Sequence, residues 1–161
     1  VIRGRKMYNQ KFMDKAISQA KRAAKYDETP IGACIVKDGE VIAYGRNKRE
    51  EKGNSLCHAE IVAINKACKK IGDWRLEGCD LYVTLEPCPM CAGAIIQSRV
   101  ENVYFGAYDK KAGCAGSKTN LFMPDMFNHN VNVEGGHSEE ECASILQSFF
   151  KSLRKKKKEE K

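Results

Sequence analysis

Apolar and polar positions change period several times along the chain. Over residues 9–26, Phe12, Ala16, Ile17, Ala20 and Ala24 recur at helical spacing, which predicts an amphipathic helix. The DETP stretch ends it, because Pro30 disfavours helical backbone in the residue before it. Two apolar runs follow, IGACIVK and EVIAYG, joined by Asp38-Gly39. Asp-Gly is a two-residue hairpin turn, so strands are expected over 31–37 and 40–45. The polar stretch NKREEKGNSL reads as loop. HAEIVAINKACKKIG predicts a helix ending at Gly72, and DLYVTL a short strand over 80–85. PMCAGAIIQS predicts a helix with Pro89 in its first position, where its missing N–H is not needed. VENVYFGA contains a strand at 102–107, residues 108–128 read as a long loop rich in Gly, Lys and Asn, and NVNVE is a candidate fifth strand. Ser138 and Glu141 match a capping box, after which Cys142, Ile145, Leu146, Phe149 and Leu153 mark one helical face. Strands alternating with helices predict an α/β layered domain, with a hairpin at the start of the sheet and helices packed on its faces.

Charge and composition refine this picture at its ends. The 161 residues suit one domain with a single core. No apolar run approaches the roughly 18–20 residues of a membrane-spanning helix, and the basic VIRGRK start has no apolar stretch after it, so neither a membrane span nor a secretory signal is expected. Met7 reads as a plausible start and residues 1–6 as leader or appended residues. The net charge of +7 is concentrated at the termini. Residues 151–161 carry seven Lys or Arg against two Glu, and residues 1–6 carry three basic residues, whereas 7–150 hold 18 basic against 19 acidic. The body is therefore near neutral, and the basic end reads either as a solvated, frayed tail or as a contact for an anionic partner. Eight cysteines permit disulfides by parity, but the size of the core and the apolar settings of several argue for reduced thiols in a cytosolic protein, with a subset reserved for metal or catalysis.

That subset sits in TLEPCPMCAGAI, residues 84–95. Cys88 before Pro89 and Cys91 one turn later gather two sulfurs at a helix N-terminus, where the helix dipole favours thiolate. A redox pair and a metal both suit that geometry. His58, at the start of the preceding helix, tips the balance to metal, because one imidazole and two thiolates match the preference of zinc. Two thiolates also cancel the charge of Zn²⁺, so the trio can be buried. Cys57 would close the site as a fourth ligand and leave no chemistry; an open fourth position would hold a water whose pKa zinc lowers to roughly 7. Glu60, between His58 and the apolar AIVAI, is then placed to take a proton and deliver it.

HAE followed by PCPMC matches the signature of the zinc nucleobase deaminases. Within the cytidine/deoxycytidylate deaminase superfamily the chain most closely resembles the tRNA-specific adenosine deaminases, over nearly all of residues 8–154. PIGACIVKDGEVIAYGRN, CHAEIVAI, TLEPCPMCAGAIIQSRV and FGAYDKKAGCAGS carry the resemblance, the last of them with the greatest specificity. It implies a three-layer α/β/α cytidine-deaminase-like domain over 7–154, with a central mixed sheet of about five strands; residues 155–161 read as a basic tail, in a run that departs from the family's pattern. It implies one Zn²⁺ per subunit on His58, Cys88 and Cys91, with Glu60 as catalytic proton shuttle. Asn47, the backbone of Ala59 and Asp109 are the implied substrate contacts; Asn47 is alternatively a loop cap. Glu86 and Met90 read as structural, and Phe150 either packs in the core or stacks on RNA. The implied reaction is hydrolysis of adenosine to inosine, with loss of ammonia, at the wobble position of a tRNA anticodon stem-loop. The implied setting is a cytoplasmic homodimer with no membrane association. A small-molecule guanine or cytosine deaminase and a non-catalytic zinc-stabilised RNA-binding module are the alternatives.

Overall fold

A computed structural model describes residues 7–160; the expectation for residues 1–6 lies outside them. The first amphipathic stretch forms α1 (Gln10–Lys25), capped by the Asn9 side chain, which accepts the Lys11 N–H. The hairpin follows as β1 (Gly32–Lys37) and β2 (Glu40–Arg46), with Asp38 and Gly39 both at positive φ in the turn between them. A four-residue helix, α2 (Arg49–Lys52), stands where the sequence reads as loop. The chain continues through α3 (Ala59–Ile71), β3 (Cys79–Leu85), α4 (Pro89–Gln97), β4 (Asn102–Ala107), β5 (Asn132–Glu134) and α5 (Glu139–Glu159).

The strands form one mixed sheet in the order β2-β1-β3-β4-β5. β1 is antiparallel to both β2 and β3, whereas β3, β4 and β5 run parallel. Alternation along each strand feeds both faces. Ala33, Ile35, Leu81, Val83, Val103 and Phe105 pack under α3 and α4. Cys34, Val36, Tyr82, Tyr104 and Ala107 pack under α1 and α5, through Phe12, Met13, Ile17 and Cys142. This is the expected three-layer α/β/α arrangement.

Three details of the last helix bear on the expectations. Ser138 does precede α5, but with φ 56 and no side-chain cap bond, so the capping box does not form. Its hydroxyl instead accepts the Gln10 amide at 2.9 Å and ties α5 to α1. Phe150 is 41% exposed, outside the core. The helix also continues through the basic residues to Glu159.

The topology decides where chemistry can gather. The start of β1 and the ends of β2, β3 and β4 lie at one end of the sheet. α3 and α4 begin at that same end. Close packing fixes α3 there: a Cβ added to Gly45 on β2 would lie 2.1 Å from the Ala59 carbonyl oxygen.

Candidate metal centre and active site

His58 and Cys88 occupy equivalent places in the chain. Each is the N-cap residue of its helix, with extended backbone and no side-chain capping bond, so each side chain is free to turn toward the other helix. Pro89 opens α4 and brings Cys91 one turn behind Cys88. The His58 Nδ1 atom lies 3.5 Å from the Cys88 sulfur and 3.6 Å from the Cys91 sulfur. Among the described residues these three form the cluster that could hold a metal ion. Cys57 is not in it; its N–H and C=O serve the loop, bonding the Asn54 carbonyl and the Lys48 N–H. The other two histidines are spent elsewhere, His129 on the Val100 carbonyl and His137 stacked on Tyr8.

The three side chains share their protons closely. The Cys91 thiol, through its hydrogen bond to Cys88, brings the Cys88 pKa down to about 4 against the effect of burial, with His58 adding to the fall. Cys91 is raised in turn, by the same bond and by burial. His58 is raised by its bond to Cys88. One nitrogen and two sulfurs, sharing protons at this distance, are a donor set that fits Zn²⁺.

Glu60 lies in the first turn of α3, only 4% exposed. Burial pushes its carboxyl up to about 7. With His58 and Cys88 it faces a pocket of about 160 Å³, whose apolar wall includes Ile31, Leu85 and Ala112. A larger groove of about 650 Å³ lies between α1 and α5, on the other face of the sheet from the trio.

Asn47 and Asp109 line the same small pocket. Both also shape backbone. The Asn47 amide donates to the Thr29 carbonyl, and its Oδ1 accepts the Arg49 N–H. The Asp109 carboxylate accepts the N–H groups of Lys111 and Ala112. Ala59 is not among the lining residues; its side chain is fully buried in the core.

Glu86 has the structural role expected of it, in a specific form. It is 2% exposed and fastens the loop after β4 onto the pocket. Oε1 accepts the Asp109 N–H, Oε2 accepts those of Ala115 and Ser117, and the Ser117 hydroxyl bonds the same carboxylate. Burial pushes the Glu86 pKa up, but these hydrogen bonds outweigh it and hold it below the usual range. Gly113 must be glycine for this: a Cβ there would meet the Glu86 carboxylate carbon at 2.3 Å. Glu28 went unnoticed in the sequence. It is fully buried and accepts the Glu50 and Glu51 N–H groups at 2.9 and 2.8 Å, which holds α2 beside the pocket. Residue type alone carries no signal for a bond made 22 residues away.

The MafB19-like deaminase family model matches residues 7–154. A tRNA-specific adenosine deaminase of Bacillus subtilis is 54% identical over 147 residues, 91% of each chain. A chain solved in structural studies of A-to-I editing by tRNA:A34 deaminases is 43% identical with a TM-score of 0.80, covering 86% of this chain and all of that one. A guanine deaminase of Bacillus subtilis superposes less well, with a TM-score of 0.62 at 36% identity over 78% of this chain and 83% of its own. With the layered sheet and the His58–Cys88–Cys91 cluster in the place where two helices start, these relationships show that the chain belongs to the MafB19-like deaminases and, among them, to the tRNA-specific adenosine deaminases.

Proposed function

We propose that this protein hydrolyses adenosine to inosine at the wobble position of a tRNA anticodon, releasing ammonia. His58, Cys88 and Cys91 would hold one Zn²⁺. When bound, zinc supplies Lewis acidity, which makes water a competent nucleophile near neutral pH. The observation that carries the reading is Glu60: a carboxylate hidden from solvent, facing the same pocket as His58 and Cys88.

Glu60 accepts a proton from the attacking water as its oxygen adds to C6 of adenine. It returns a proton to N1 of the ring. Transfer of a further proton to the exocyclic amine lets ammonia leave, and the ring keeps the oxygen as hypoxanthine. The apolar wall of Ile31, Leu85 and Ala112 excludes bulk water from the base. Asn47 and Asp109 line the pocket, where they would meet the nucleoside. A pocket of about 160 Å³ admits a base only after it leaves its stack, which favours an anticodon loop over a duplex. A cytoplasmic homodimer belongs to the same proposal. Among the described residues no helix is long and apolar enough to cross a membrane.

The test is incubation of the zinc-loaded protein with total tRNA, followed by inosine mapping. Inosine is expected at position 34 of tRNA that carries a wobble adenosine. Turnover of free guanine with unaltered tRNA would replace this reading with that of a small-molecule deaminase.

A further inference from the structure

Arg46 closes β2 at the end of the sheet that carries the pocket, and it is only 8% exposed. Its Nη2 faces Glu51 Oε1 at 3.4 Å. Its guanidinium carbon lies 4.2 Å from the centroid of the Tyr26 ring. Its Nη1 is buried and has no hydrogen-bond partner among the described residues.

Three further cations belong to the same neighbourhood. Lys48 follows two residues later and adjoins Asn47 of the pocket wall. Arg22 is one turn before Tyr26 at the C-terminal end of α1, and so shares its face. Lys66 projects from α3, which packs on β2. The charges of Lys48, Arg46 and Arg22 reach Lys66 and, with its partial burial, hold its pKa below the usual lysine range. Glu51 supplies one carboxylate to the group, and the Glu28 carboxylate nearby is occupied by the Glu50 and Glu51 N–H groups. Positive charge is left in excess.

We propose that Arg22, Lys48 and Lys66, with the charge of Arg46 behind them, bind a backbone phosphate of the RNA strand as it leaves the pocket. The inference rests on the RNA substrate proposed above. The charge of a phosphodiester matches that of the grouped cations. Lys48 directly follows Asn47 of the pocket wall, which would bring one end of the cluster to the side where phosphates flanking an extruded base leave. Contacts of this kind set the register of the strand without reading sequence.

Binding of a fluorescent anticodon stem-loop, followed across a salt series, tests the site. Arg22→Ala and Lys66→Ala are exposed changes expected to leave folding intact. Each should weaken binding about three- to ten-fold at low salt and flatten the log affinity–log salt slope by roughly 0.7–1. Lys15→Ala on the exposed side of α1 is the control and should change neither. Arg46→Met, similar in bulk, should weaken binding without lowering thermal stability; lost stability with intact binding would show a purely structural arginine. Variants matching Lys15→Ala in affinity and slope would overturn the site while wild-type editing of the same RNA upholds the substrate. If the wild type neither binds nor edits the stem-loop, the substrate reading fails, and the phosphate site fails with it.

Discussion

Removing the Glu86 carboxylate would strip acceptors from the N–H groups of Asp109, Ala115 and Ser117. Glu86→Ala is therefore expected to cost about 2–4 kcal/mol, measured by denaturant unfolding, with the 109–117 loop exchanging its amide hydrogens faster. Glu60→Ala should behave in the opposite way. Glu60 is not one of the three clustered residues that could hold a metal, so zinc content and folding should stay intact while turnover falls by about 10²–10⁴. Normal deamination by that variant would remove Glu60 from the mechanism. The two glutamates differ in how legible they were. Glu60 could be read from the sequence because it stands beside His58 in a short motif, and ligand chemistry is written in residue type and local spacing. Glu86 could be read as structural, but not the loop it holds, because its partners lie 23–31 residues away. Asn47 reads in the sequence as either cap or contact, and the structure shows it capping at the pocket wall.

At the scale of elements, the hydrophobic period found both long helices, the hairpin and β3 and β4 to within a residue or two. It missed α2, whose REEK sequence has no apolar face at all. That helix exists because Glu28 accepts two of its N–H groups, a tertiary cause with no local trace. The capping box failed for a related reason: the turn before α5 puts Ser138 in left-handed backbone and commits its hydroxyl to α1. Packing between β2 and α3 carries the sharpest prediction at this level. Gly45→Ala would drive a methyl against the Ala59 carbonyl and the Ala63 nitrogen, both backbone atoms that cannot yield by rotating a side chain. The start of α3 must shift, and His58 with it. Expected are a destabilisation of about 1–3 kcal/mol and weaker zinc retention against a chelator, checked by thermal unfolding and by metal release.

For the whole molecule, buried thiols set an alkaline limit. Burial raises Cys34 to about 12 and Cys142 to about 11. In the unfolded chain both revert to roughly 8.5. Between these values the folded state keeps its protons and the unfolded state has lost them, so raising the pH favours unfolding. Stability should fall from about pH 9 to about 11–12, each thiol contributing about 1.4 kcal/mol per pH unit. Cys142→Ala should make that decline shallower, as read from denaturation midpoints across the pH range. Below pH 8 the two thiols should leave stability unaffected.

The three clustered side chains also have an order in which they can meet. Cys88 and Cys91 are neighbours in a single turn, whereas His58 must arrive across 30 residues, after α3 has docked on the sheet. Zinc added to a refolding chain therefore meets the thiol pair early and the imidazole late. Cobalt substitution would expose this as two spectral phases, a fast one from sulfur coordination and a slow one matching the folding rate. The metal would then act as a clock that stops when the last helix of the site is in place.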